Sequence, residues 1–121
     1  MSENRTAKVY DLEERTYQFA KAVCIFCKGV PSSLSNLEYC KQLIRSSGSV
    51  GANYIEANES LGKKDFLMKM KICRKEAKES AYWLRLIKET NKDVTAADGQ
   101  LLINEANELK KIFSAIILKL R

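Results

Sequence analysis

The sequence predicts an all-α protein, an up-down-up-down antiparallel four-helix bundle, and three observations carry that prediction. A single proline and five glycines in 121 residues leave little turn chemistry for a many-stranded β fold. Apolar residues recur at spacings of three and four in successive runs, each long enough for a helix. The segments between the runs are short, so consecutive helices are expected to be antiparallel neighbours. The length suits one domain, 1–121, with a core of its own.

Asp11 and Glu14 have the spacing of a capping box. Leu12, Thr16, Phe19, Val23, Phe26 and Val30 then hold one face until Pro31 ends the run, which predicts a first helix over about 11–30. Ser35 with Glu38 is the expected cap of a second helix over about 35–60. Its core stripe is Cys40, Leu43, Ser47, Val50, Tyr54, Ala57 and Leu61. Gly62 allows a tight reversal, and Phe66, Met70, Cys73, Ala77, Ser80, Leu84 and Ile87 mark a third helix over about 63–91. Thr95 and Asp98 open a fourth over about 96–120, which presents Leu102, Ala106, Leu109, Phe113, Ile116 and Leu120.

Within the second helix, "IRSSGSVGANYIEANES" is stripped of bulk yet keeps the helical beat. A second row, Leu37, Ile44, Gly48, Gly51 and Ile55, lies beside the core stripe, and Ser49 and Ala52 continue around the helix. Such a helix is expected to be covered on more than one side, its small residues letting backbones approach closely. The fourth helix ends in "IFSAIILKL", also apolar around much of its circumference. Self-association into a homo-oligomer follows as an expectation. Arg45, Asn53 and Glu56 need partners on so covered a helix, and they are assigned with Gly48, Gly51 and Ile55 to packing and assembly.

The start, "MSENRTAKVY", lacks the apolar core of a signal peptide, and no run reaches the ~20 apolar residues of a spanning helix. A cytoplasmic protein with no membrane partner is expected, its cysteines reduced and buried. Cys24 and Cys27 share a helix face, but Cys73 sits about eleven residues closer to the Gly62 turn than Cys40, or about 16 Å along a bundle. The chain has no histidine to complete a site, so no metal or other cofactor is expected. Glu56 with Glu59, Glu76 with Glu79, and Glu105 with Glu108 resemble the carboxylate pairs of helical metalloenzymes. Their heights do not match, which makes them solvated helix charges paired with nearby lysines and the protein a non-enzyme.

The third helix supplies the functional surface. Lys64, Met68, Lys71, Lys75, Lys78, Tyr82 and Arg85 form a stripe rotated away from the core, five cations and one aromatic ring that suit a phosphate backbone with an exposed base. The plain alternative is a solvated face balanced by Glu76, Glu79 and Glu89. The net charge of +6 favours an anionic partner such as RNA. Trp83 lies off this stripe, in the bundle or at a subunit contact.

At "QLIRSSGSVGANYIEANES", continued by "GKKDFLMKMKICRKEAKESAYWLRLI", the sequence resembles the four-helix bundle proteins of the 23S rRNA-intervening sequence family, also labelled S23 ribosomal proteins. Ser49, Val50, Asn53 and Glu56 fall on that family's second-helix pattern. Lys64, Asp65 and Phe66 open the third helix as it does, Glu79 matches a glutamate there, and Ala57 replaces a frequent glycine. The resemblance implies up-down bundles assembled into pentameric rings. It also implies a kinship of fold with the accessory proteins of diversity-generating retroelements, which bind nucleic acid and a reverse transcriptase through basic surfaces. The function expected is a non-enzymatic homo-oligomer binding RNA or other nucleic acid through the third helix, the alternative being an oligomeric scaffold that contacts only protein.

Overall fold

The structure is a computed structural model that describes residues 2–92 and 96–120, with side chains from Leu12 onward. All regular structure among the described residues is helical: α1 (Ser2–Lys28), α2 (Leu34–Asn58), α3 (Lys63–Thr90) and α4 (Ala96–Leu120). Among these residues no helix is long and apolar enough to cross a membrane.

Several ends differ from the sequence reading. Asp11 does not start α1 but lies inside it, because the polar stretch before it holds no proline or glycine to stop a helix. At its other end Gly29 and Val30 donate to the carbonyls of Phe26 and Cys27 at 3.0 and 3.2 Å, tightening the last turn ahead of Pro31. Ser33, not Ser35, caps α2. Its backbone is extended, and its Oγ accepts from the Asn36 amide at 3.1 Å. Because α2 ends at Asn58, Leu61 falls in the turn and is fully exposed, not part of the core. Gly62 caps α3 with an extended backbone that any residue adopts, so the reversal makes no special demand for glycine. Asp98 lies in the first turn of α4, and Thr95 lies outside the described residues.

The core is drawn from every helix. Leu12, Phe19, Val23 and Phe26 of α1 meet Leu43, Val50, Tyr54 and Ala57 of α2, Met70, Cys73, Leu84 and Ile87 of α3, and Leu109 and Phe113 of α4. On α4 it is Ile117, not Ile116, that is fully packed, and Leu118 remains exposed. Packing is most extensive where α3 meets α2 and α4, and least where α1 meets α4. Burial pushes the Cys73 thiol up to about 12, so it stays protonated in the core.

The small residues of α2 serve contacts inside this chain. Ser46 and Ser80 are fully buried, with their hydroxyls 2.9 Å apart, and Ser80 donates onward to the Glu76 carbonyl at 2.9 Å. Bulk at either position would separate α2 from α3, while the hydroxyls keep each other satisfied. Gly51 is buried against α1. A Cβ there would lie 3.0 Å from Thr16 Oγ1 and 3.2 Å from Thr16 Cβ, so of the packing and assembly roles expected for Gly51 the close approach within one chain is the one seen. At the far end the carboxamides of Asn36 and Asn91 bond reciprocally at 2.7 and 2.9 Å, and Asn36 also donates to the Pro31 carbonyl, which ties the first turn to the end of α3.

Gly51→Ala tests this close approach. Alanine would gain up to about 1 kcal/mol of helix propensity, yet crowding against the packed Thr16 costs about 1–3 kcal/mol. The expected result is a lower midpoint in urea denaturation, and Thr16→Ala combined with Gly51→Ala, which removes the Oγ1 atom 3.0 Å from the new Cβ, should recover part of the loss.

Candidate nucleic-acid interface

α3 divides its circumference between two tasks. Met70, Cys73, Ala77, Ser80, Leu84 and Ile87 are buried at alternating three and four spacing, which turns Lys64, Met68, Lys71, Lys75, Lys78, Tyr82 and Arg85 to the solvent. Every one of these seven is exposed. The stripe runs for roughly 30 Å at the α-helical rise. Among the described residues Lys64, Lys71, Lys75 and Lys78 make no ion pair, whereas Arg85 Nε meets Glu89 Oε2 at 3.0 Å. That pair lies in solvent and is worth little.

Of the three glutamates expected to balance this face, Glu89 stays on it with Arg85, while Glu76 and Glu79 are engaged elsewhere. Arg45 reaches from α2 to Glu76 Oε1 at 3.5 Å and makes a close ion pair with Glu79. Glu76 is buried and therefore needs the partner; Arg45 is half-exposed. Burial lowers the Arg45 pKa, but the hydrogen bonds and charges of Glu76 and Glu79 outweigh it and hold the guanidinium above its ordinary value. Glu79 also accepts from Trp83 Nε1 at 3.2 Å, and the Trp83 ring lies between Tyr39, with centroids 6.0 Å apart, and Tyr82, edge-on at 5.1 Å. One arginine on α2 thus connects, through Glu79 and Trp83, to the aromatic member of the stripe.

The other residues assigned to assembly separate into different environments. Glu56 accepts from Lys69 of α3 at 3.0 Å, a contact that holds the Lys69 ammonium above its ordinary value. Asn53 donates to the Ser49 carbonyl at 2.8 Å and stays within its own helix. Gly48, with nothing within 4 Å of an added Cβ, and half-exposed Ile44 and Ile55 form an open row on α2 together with Leu37. Within one chain α2 is therefore covered on its α1 and α3 sides and bare on this one.

Carboxylates and thiols take up structural positions. Arg15 holds both oxygens of Glu105 at 2.7 and 2.8 Å, joining α1 to α4, and Glu108 lies 3.7 Å from Lys111. The partners of Glu76, Glu79 and Glu105 are arginines from other helices, not the neighbouring lysines that helix spacing suggested. Cys27 and Cys40 contact each other across the α1–α2 seam, and burial first, then the Cys40 contact, push the Cys27 thiol up. Cys24 is exposed, which corrects the expectation that all the thiols are buried, because its side of α1 has no neighbouring helix.

Residues of α4 that border the stripe were not legible in the sequence. Gln100, Ile103 and Asn107 of α4 face Lys78, Tyr82, Arg85, Lys88 and Glu89 of α3 around a cavity of about 380 Å³. Their spacing along α4 is visible, but their alignment with α3 depends on how the two helices pack.

Among the described residues these features define an all-helical, four-helix protein with a cationic face on α3. It belongs to the 23S rRNA-intervening sequence protein family, which matches residues 8–115. A solved structure of a protein of unknown function from the S23 ribosomal protein family of Bacteroides thetaiotaomicron is similar. It has a TM-score of 0.81 and 30% identity, over 91% of this chain and 97% of that one. Among curated proteins none matches.

Arg45→Ala leaves the buried Glu76 without its cation. The expected loss is about 1–3 kcal/mol in chemical denaturation, short of a fully buried pair because Arg45 is half in solvent. Adding Glu76→Gln should restore much of it, since the uncompensated charge is then gone.

Proposed function

We propose that this protein is a non-enzymatic, cytoplasmic homo-oligomer, a pentameric ring of up-down-up-down antiparallel bundles, that binds RNA or another nucleic acid along the outer stripe of α3. The observation that carries the binding reading is that Lys64, Lys71, Lys75 and Lys78 make no ion pair among the described residues while Glu76 and Glu79 on the same helix are taken by Arg45. A cationic line of this length suits a phosphate backbone, and copies around a ring would multiply a weak single-chain contact. Antiparallel order is supported by the ties from α2 to α3, Glu56 to Lys69, Arg45 to Glu76 and Asn36 to Asn91, which spread outward from the Gly62 turn.

Association is supported by two bare apolar surfaces. One is the α2 row of Leu37, Ile44, Gly48 and Ile55; the other is a groove of about 600 Å³ between α1 and α4, where Ile25 and Leu101 are exposed. The same surfaces favour a second reading, a scaffold that contacts only protein partners and no nucleic acid.

Fluorescence anisotropy with a labelled single-stranded RNA separates the two. Replacing Lys71, Lys75 and Lys78 with Gln should cost at least tenfold in affinity at low salt and flatten the dependence of log K on log salt by about 2, near 0.7 for each phosphate that is no longer neutralised. If the unmodified protein binds no RNA at low salt, the scaffold reading prevails. Association has its own test. Ile44→Glu with Ile55→Glu should shift the light-scattering mass toward that of one chain while helical circular dichroism is retained; an unchanged mass would exclude this row from the interface.

A further inference from the structure

We infer that the stripe ends in a niche for a single unpaired nucleobase, so that the ligand is a single strand with one base drawn out of the stack and its flanking phosphates held outside. This rests on the nucleic-acid reading above and deepens it. The cavity of about 380 Å³ between α3 and α4 falls within the size range of small-ligand sites. Its chemistry has the two parts such a ligand needs. Ala81 and Ile103, half-buried, supply apolar surface, and the exposed ring of Tyr82 supplies a face for stacking. Lys78, Arg85 and Lys88 bring positive charge to the rim, where the phosphates on either side of an inserted base would lie, and Glu89, paired with Arg85 at 3.0 Å, offsets one of the three.

Two details favour a base over a bare phosphate. Tyr82 is held by a rigid support: Trp83 meets it edge-on, Trp83 donates to Glu79, and Glu79 is fixed by Arg45 of α2. A ring held in this way loses little freedom when a base stacks on it. The amides differ from one another. Gln100 is committed, accepting from Lys88 Nζ at 2.7 Å and donating to Asn104 at 2.9 Å, whereas Asn107 makes no hydrogen bond among the described residues. Its carboxamide therefore offers a donor and an acceptor to the edge of a base. A duplex cannot use this arrangement, because its bases are stacked and paired and its accessible surface is backbone.

The test is anisotropy with labelled single strands of about 12 nucleotides, oligo(A), oligo(C) and oligo(U) in RNA and oligo(A) in DNA, beside an RNA duplex of equal length. Single strands should bind at least tenfold tighter than the duplex, and the RNA and DNA arms identify which sugar is preferred. Tyr82→Ala should cost about tenfold on single strands and leave duplex binding unchanged. Tyr82→Phe should bind like the unmodified protein, and Asn107→Ala should level the affinities among the three RNA sequences. Circular dichroism of each variant checks that the helices persist. Equal affinity for duplex and single strand, or a neutral Tyr82→Ala, overturns the niche; if the triple lysine variant still abolishes binding, the stripe reading stands without it. Absence of any binding by the unmodified protein at low salt overturns both.

Discussion

The contact on which the rest of this molecule depends is the reach of Arg45 from α2 to Glu76 and Glu79 of α3. Glu76 faces the packed side of the bundle, and a carboxylate there is tolerated only with a cation close by. By taking both acids to the α2 side, Arg45 removes them from the electrostatics of the outer face. Lys71, Lys75 and Lys78, spaced four and three residues apart on that face, are left facing solvent with no ion pair among the described residues. A structural requirement at the core margin therefore produces the charge polarity of α3.

Close helix approach is the second constraint, and it explains the odd composition of α2. Ser46 sits against Ser80, and Gly51 sits against Thr16, so α2 is drawn tightly to α3 on one side and α1 on the other. Hydroxyls at these points satisfy each other or a carbonyl one turn back, which lets polar atoms be buried at modest cost. Tight packing of this kind also fixes the relative height of the helices. It brings Arg45 level with Glu76 and Glu79, and the same rigidity extends through Trp83 to the ring of Tyr82.

The proposed binding and the proposed assembly use different sides of the chain. The basic stripe lies on α3, while the bare apolar surfaces lie on α2 and between α1 and α4. Docking through the apolar surfaces would leave the lysines open, so the two need not compete. Copies held in a ring would present repeated cationic lines, and repeated weak contacts gain from a high effective concentration. Family membership agrees with the helical architecture and leaves the role to be argued from the site, as it must be where a fold is shared among proteins without a common assigned activity.

Periodicity made the architecture legible, because a helix that buries one face must repeat its apolar residues at three and four. The stripes of α1 and α3 were correct from Leu12 to Phe26 and from Met70 to Ile87. The exposure of the lysine row was legible for the same reason, as the complement of the buried stripe. Ends were less so: Ser33 and Ser35 are both plausible caps, and only the backbone path after Pro31 selects Ser33. Facts that join different helices were beyond the sequence. Composition marks Gly48 and Gly51 alike, yet one is open and the other is pressed on Thr16, because small residues permit close packing without saying which neighbour arrives. Arg45 was visible as a charge needing a partner, and only the height of α2 against α3 decided that the partner is in the same chain. The niche beside Tyr82 likewise exists only where α4 packs on α3, since its walls come from residues far apart in the chain.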